Sequence, residues 1–411
     1  MGVVLFLQKH TCERGEDWRV LTKSFWIAGF ECSCHRRRDG RRLDLIEATR
    51  HDRHAAADYA RLRRAGIETA RDGIRWHLVE RSPGRYDASS FLPMVRAARD
   101  AGVQIVWDLC HYGWPDDIDI FLPEFVERFC EYAREVARLI ARETGEPGFY
   151  CPVNEISFWS WGGGDVAYLN PFATGRGFEL KAQLARASIA AIEAIWSVDP
   201  RARILHAEPA IHILPNREIP GSAEDAEGNR LAQFQAFDML EGRLWPQLGG
   251  DPRYLDVVGV NFYPANQWVL YGPTVPRGDR RYRPFRHILR EVWERYGRPV
   301  MVSETGAQGE ERGPWLRYIA REVRAAQRAG VPVEGICLYP ILDYPGWDDD
   351  RHCETGLWGY ADPSGEREPC LSLRHELERQ ARLTRREAPT NTIGSPDAHG
   401  APEEETEYVA F

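Results

Sequence analysis

Eight short apolar runs, several rich in β-branched residues, recur along the chain, each followed by a longer stretch with helical periodicity. They are Phe25 to Phe30, Ile67 to Ile74, Val103 to Leu109, Phe149 to Val153, Arg203 to His206, Leu255 to Asn261, Pro299 to Ser303 and Val333 to Tyr339. They repeat at roughly 35 to 55 residues, the rhythm of a strand and its crossover helix in a parallel sheet. Eight such units predict an α/β protein, a (β/α)8 TIM barrel built as a single domain with long βα loops. A length of 411 residues fits a barrel with insertions.

The clearest helix is Pro123 to Arg142, where Phe125, Phe129, Tyr132, Val136 and Leu139 recur at helical spacing and Glu and Arg fill the other face. Gly66, Gly102 and Gly330 each follow a helical stretch and precede a strand, where a left-handed C-cap belongs. Residues 1–24 read as an N-terminal extension and 25–383 as the barrel. Residues 384–411 lack apolar periodicity and read as a disordered acidic tail. The longest loops, Trp159 to Arg176 and Ile211 to Asn229, follow the fourth and fifth strands, on the face where barrels build their sites.

A net charge of −9 supplies no basic field for a phosphate backbone, so nucleic acid is set aside. The opening apolar stretch is too short for a signal peptide or a membrane span. Cys110, Cys151 and Cys337 fall inside predicted strands, as core thiols in a reducing compartment would, so a cytoplasmic location is expected. Cys32 and Cys34 lack a second pair at zinc-finger spacing. Asp116-Asp117 and Asp348-Asp349-Asp350 lack calcium-loop alternation and read as solvated loops. No metal and no cofactor are expected.

Two glutamates stand where apolar runs stop: Glu155 in Pro-Val-Asn-Glu-Ile and Glu304 in Pro-Val-Met-Val-Ser-Glu-Thr-Gly. A parallel barrel brings the C-terminal ends of all its strands to one rim, so the two can meet. Two carboxyl groups roughly 5 Å apart are what retaining glycoside hydrolysis needs, one as proton donor and then base, the other as nucleophile.

Six sites taken in barrel order resemble the family 1 β-glycosidases of the retaining barrel clan: Arg71 in Ala-Arg-Asp-Gly-Ile-Arg-Trp, His111 in Leu-Cys-His-Tyr-Gly-Trp-Pro, Asn154-Glu155, Asn261 and Tyr263 in Gly-Val-Asn-Phe-Tyr, Glu304, and Leu342-Asp343 to Trp347. The resemblance spans about residues 25 to 360 and implies a glycoside hydrolase acting on a small-molecule or oligosaccharide glycoside, with Glu304 as nucleophile and Glu155 as acid/base. It implies that Asn154 holds the sugar 2-hydroxyl, that His111 donates to a neighbouring hydroxyl, and that Arg71 and Tyr263 support Glu304. His206 and Glu208, at the end of the fifth strand, are further candidates for the pocket wall.

The family pattern also breaks. Its first-strand glutamine is absent from Gly-Phe-Glu-Cys-Ser-Cys-His, which leaves Glu31 or His35 to substitute. The glutamate that grips the far side of the sugar is Gly346 here, next to Trp347. A transglycosidase using the same residues, a non-catalytic carbohydrate-binding barrel, and a metal-assisted hydrolase using His111, His206 and the aspartates are the alternatives.

Overall fold

A computed structural model of the chain describes residues 21–387. Eight parallel strands close into a barrel: β1 (Trp26–Gly29), β2 (Thr69–Gly73), β3 (Gln104–Cys110), β4 (Phe149–Val153), β5 (Arg203–Pro209), β6 (Val257–Asn261), β7 (Val300–Thr305) and β8 (Val333–Leu338). Strand β1 pairs with both β2 and β8, which shuts the sheet and removes its edges. The expected TIM barrel is the fold. Strand β5 runs three residues beyond its predicted end, because Glu208 and Pro209 continue the register against Val260 and Asn261 of β6.

Side chains of alternating strand positions fill the interior. Ile27, Val106, Phe149, Cys151, Leu205, Ala207, Val257, Met301, Cys337 and Tyr339 form one buried cluster inside the barrel, with Leu21 packed against it. Burying a Leu or Phe in such a layer contributes roughly 1.5–3 kcal/mol. Cys151 and Cys337 serve there as small apolar side chains, and the eight described cysteines are free thiols.

The longer helices are α1 (His51–Arg64), α2 (Leu92–Ala101), α3 (Pro123–Thr144), α4 (Gly177–Val198), α5 (Ser222–Leu231), α6 (Gln235–Leu240), α7 (Phe285–Tyr296), α8 (Arg312–Arg328) and α9 (Leu371–Glu387). On α3 the predicted stripe of Phe125, Phe129, Tyr132, Val136 and Leu139 is buried. The glycines Gly66, Gly102 and Gly330 have φ of +75°, +70° and +88°, the left-handed joints that the three αβ turns require. No described helix is long and apolar enough to cross a membrane.

Most of the expected N-terminal extension and tail lies outside the described residues. The inner margin of each is ordered: Lys23 N–H donates to Gln104 Oε1 at 3.0 Å, and α9 continues to Glu387. Between α1 and the hairpin of Trp358–Ala361 with Arg367–Pro369, a buried polar knot joins distant segments. His51 bridges Asp58 and Asp72 at 2.8 Å each, Tyr59 donates to Asp72 at 2.6 Å, and Arg367 donates to Asp58 at 2.8 Å.

Candidate active site

At the C-terminal rim the barrel interior turns from apolar to charged, and the change begins with Arg71 on β2. Its Nη1 donates to Glu304 Oε1 at 2.7 Å, its Nη2 to Asp108 Oδ2 at 2.7 Å and to Asn154 Oδ1 at 2.6 Å, and its Nε to Asp108 Oδ1 at 2.8 Å. One guanidinium thus ties β2 to β3, β4 and β7. Glu304 sits beside a register shift between β7 and β6, an irregularity of the kind that re-aims a side chain at a barrel rim. Tyr263 O–H donates to Glu304 Oε2 at 2.8 Å, so both carboxylate oxygens accept a hydrogen bond.

Glu155 follows β4 with φ of +44°, a left-handed conformation that costs a non-glycine residue on the order of 1–3 kcal/mol. Its backbone N–H donates to Ala207 O at 2.9 Å, which anchors the turn to β5. Asn261 Nδ2 donates to Glu155 Oε1 and Tyr112 O–H to Glu155 Oε2, each at 2.8 Å. Ser303 O–H holds Asn261 from behind through Oδ1 at 2.6 Å. Tyr112 is itself at φ of +67°, so two strained residues meet at one carboxyl group.

Arg71 also orients Asn154. Because Arg71 donates to Oδ1, the amide nitrogen of Asn154 faces His111 Nε2 at 3.1 Å and Tyr112 O–H at 2.9 Å. His111 Nε2 therefore accepts, and Nδ1 carries the proton donated to Asp108 at 2.9 Å. Asn154 is fully buried behind the wall and stands in line between Arg71 and Tyr112.

Glu155 and Glu304 both line a cavity of about 980 Å³, together with Glu31, His111, Tyr112, Tyr263 and Trp347. Glu31 accepts from the Ser33 N–H and O–H through Oε1 at 3.0 and 2.6 Å. His35 does not reach the cavity: it is buried with its ring 5.2 Å from that of Trp347, and burial, with help from the Arg42 and Arg37 charges, pulls its pKa down to about 3. His206 also stands off, on the outer face of β5 with Nε2 on Tyr254 O at 3.0 Å. Glu208 lies below the rim and accepts the Ser157 N–H at 2.9 Å, which caps the helical turn that starts after Glu155. Tyr112, Ser303, Asp108 and Glu208 complete a network that sequence reasoning assigned only in part. The one local signal for Asp108 was a carboxylate inside an apolar strand, which needs a buried partner.

Burial raises the Glu155 pKa against the pull of the Asn261 and Tyr112 donors, and Glu208 adds to the rise. Glu304 is pushed up to about 7 by burial; Arg71 opposes this and Glu155 reinforces it. Arg71 is only a partial counterweight because Asp108 already takes two of its donors. Two acids sharing one buried site behave as a coupled pair, and the first proton is held more tightly than on an isolated carboxyl group.

Cys32, Asp108 and His111 bring potential metal-binding atoms within 4.8 Å of one another. Both Asp108 oxygens already accept from Arg71, so a cation there would sit against the guanidinium. The acidic loops face arginines instead. Asp116 pairs with Arg36 and Arg42, Asp117 with Arg128 at 2.8 Å, and Asp350 with Arg37 and with Arg41 at 3.2 Å. The Arg36 to Arg42 loop thereby clips the loop after β3 to the segment that carries Trp347. Asp348 is exposed and accepts from Tyr168 at 3.1 Å, away from the cavity.

No known family profile matches the sequence, and no curated protein matches it. The fold, however, has many solved counterparts. A family 1 β-glucosidase from Thermotoga maritima superposes with a TM-score of 0.72 at 16% identity, covering 88% of this chain and 98% of that one. The AHE enzyme from Alicyclobacillus herbarius gives 0.69 at 17% identity over 89% and 99%. A β-glycosidase from Pyrococcus horikoshii gives 0.66 at 18% identity over 81% and 85%.

Proposed function

We propose that this chain is a retaining glycoside hydrolase of β-glycosidase type. The observation that carries the reading is the pairing of two carboxyl groups, Glu304 buried and Glu155 half-buried, from the ends of β4 and β7, in one cavity with different partners. Glu304 accepts from a guanidinium and Glu155 only from neutral donors, so although burial raises both acids and pushes Glu304 up to about 7, the charge of the pair is better placed beside Arg71. In the first step Glu304 attacks the anomeric carbon while Glu155 protonates the departing glycosidic oxygen. In the second, Glu155 takes a proton from water, whose oxygen displaces the sugar from Glu304. Arg71 and Tyr263 hold Glu304 in line, and Asn261 and Tyr112 do the same for Glu155.

Glu31, His111 and Trp347 are the sugar-facing candidates, because they line the cavity. Structures of Thermotoga maritima β-glucosidase with glucoimidazole and deoxynojirimycin place sugar mimics in a protein of this fold. Gly346 and the missing first-strand glutamine argue for an unusual sugar. The buried free thiols suit a reducing, cytoplasmic setting.

The test is covalent labelling. Incubation with activated 2-fluoro glycosides of several sugars, followed by peptide mass spectrometry, is expected to give a glycosyl adduct on Glu304. Absence of the adduct with every sugar, or its location on another residue, overturns the mechanism.

A further inference from the structure

Among the described residues lining the cavity, Lys181 is the one lysine or arginine. It lies in the first turns of α4 beside Gln235, and the charge of Glu208 reaches both it and Glu155, so its lobe of the cavity is on the Glu155 side. If Glu155 protonates the leaving group, this lobe holds the leaving group.

Lys181 is only 8% exposed, and its ammonium donates to Gln235 Oε1 at 2.8 Å. An ammonium has three donors, and no carboxylate in the described structure comes within 4.0 Å of this one. The two acids whose charges reach it are engaged elsewhere: Asp165 accepts the Gly177 N–H at 2.7 Å and Glu208 the Ser157 N–H at 2.9 Å. A buried cation without a contacting counter-ion is costly, and such costs persist at sites that a charged ligand completes. Burial accordingly pulls the Lys181 pKa below its ordinary value. Phe178 and Trp268 give the same cavity flat aromatic lining, and Gln235 gives it an amide.

We propose that this lobe binds the leaving-group portion of the substrate and that Lys181 pairs there with a carboxylate on an aromatic or similarly planar aglycone. The assignment to the leaving group rests on the glycosidase reading above; the binding site itself does not.

Isothermal titration of the full chain with 4-hydroxybenzoate and with its neutral counterpart 4-hydroxybenzamide tests the proposal. The carboxylate is expected to bind about tenfold or more tightly than the amide, the effect of one charge-assisted contact. Lys181→Met is expected to abolish that preference and Lys181→Arg to keep most of it, with both variants as thermally stable as the parent. Failure of the carboxylate to bind, equal binding of the two ligands, or a preference that survives in Lys181→Met overturns the proposal. Titration needs no turnover, so it can fail while Glu304 is labelled, or succeed while labelling fails.

Discussion

Arg71 is a single cation between two buried anions, and its removal is a severe test of the site. Arg71→Met leaves Asp108 and Glu304 without their shared partner and is expected to destabilise the fold by about 3–5 kcal/mol, read as a lower denaturant midpoint. Glu208 acts from farther off. Burial pushes its own pKa up to about 7, and once charged it raises that of Glu155, so Glu208→Gln is expected to move the alkaline limb of the activity profile to lower pH, as measured by kcat/KM against pH. An unmoved limb would show that Glu208 only caps the turn after Glu155. At this scale the two glutamates were legible, because an acid at the end of an apolar run has few structural reasons to be there. Tyr112 and Ser303 were not: their roles depend on which strands are neighbours and on two backbone conformations that no local pattern announces.

The elements were far easier to read than their ends. Strands covered on both faces must be apolar throughout, so all eight stood out, and α3 carried its stripe openly. The stretch expected as a loop from Ile211 to Asn229 instead contains most of α5 and a short strand, His212–Leu214, paired with Gln267–Val269. Its polar, glycine-bearing sequence concealed both, because neither has a strong apolar stripe. The αβ joints give a clean test of the backbone. Around Gly102 there is open space for a Cβ, so Gly102→Ala isolates the cost of φ at +70°. It is expected to be about 1 kcal/mol, measured by urea unfolding.

For the whole molecule, the knot around His51 makes stability fall with rising pH, the same direction as the raised catalytic acids but in a higher pH window. Burial lowers the His51 pKa, but Asp72 and Asp58 outweigh it and push it up to about 9, above the unfolded value near 6.5. The contribution is therefore complete below about pH 6.5 and fades as pH rises through 9, by on the order of 3 kcal/mol. Denaturant midpoints measured from pH 6 to 10 are expected to fall, and His51→Gln is expected to flatten that fall while lowering the starting point. The arginine loop behaves otherwise. Its ties to Asp116 and Asp350 are exposed at the carboxylate end, where mobile ions screen charge over about 10 Å at 0.1 M ionic strength. Added salt thus loosens the segment that carries Trp347 of the cavity lining while the knot and the barrel layers hold, so concentrated sodium chloride is expected to weaken substrate capture without lowering the melting temperature.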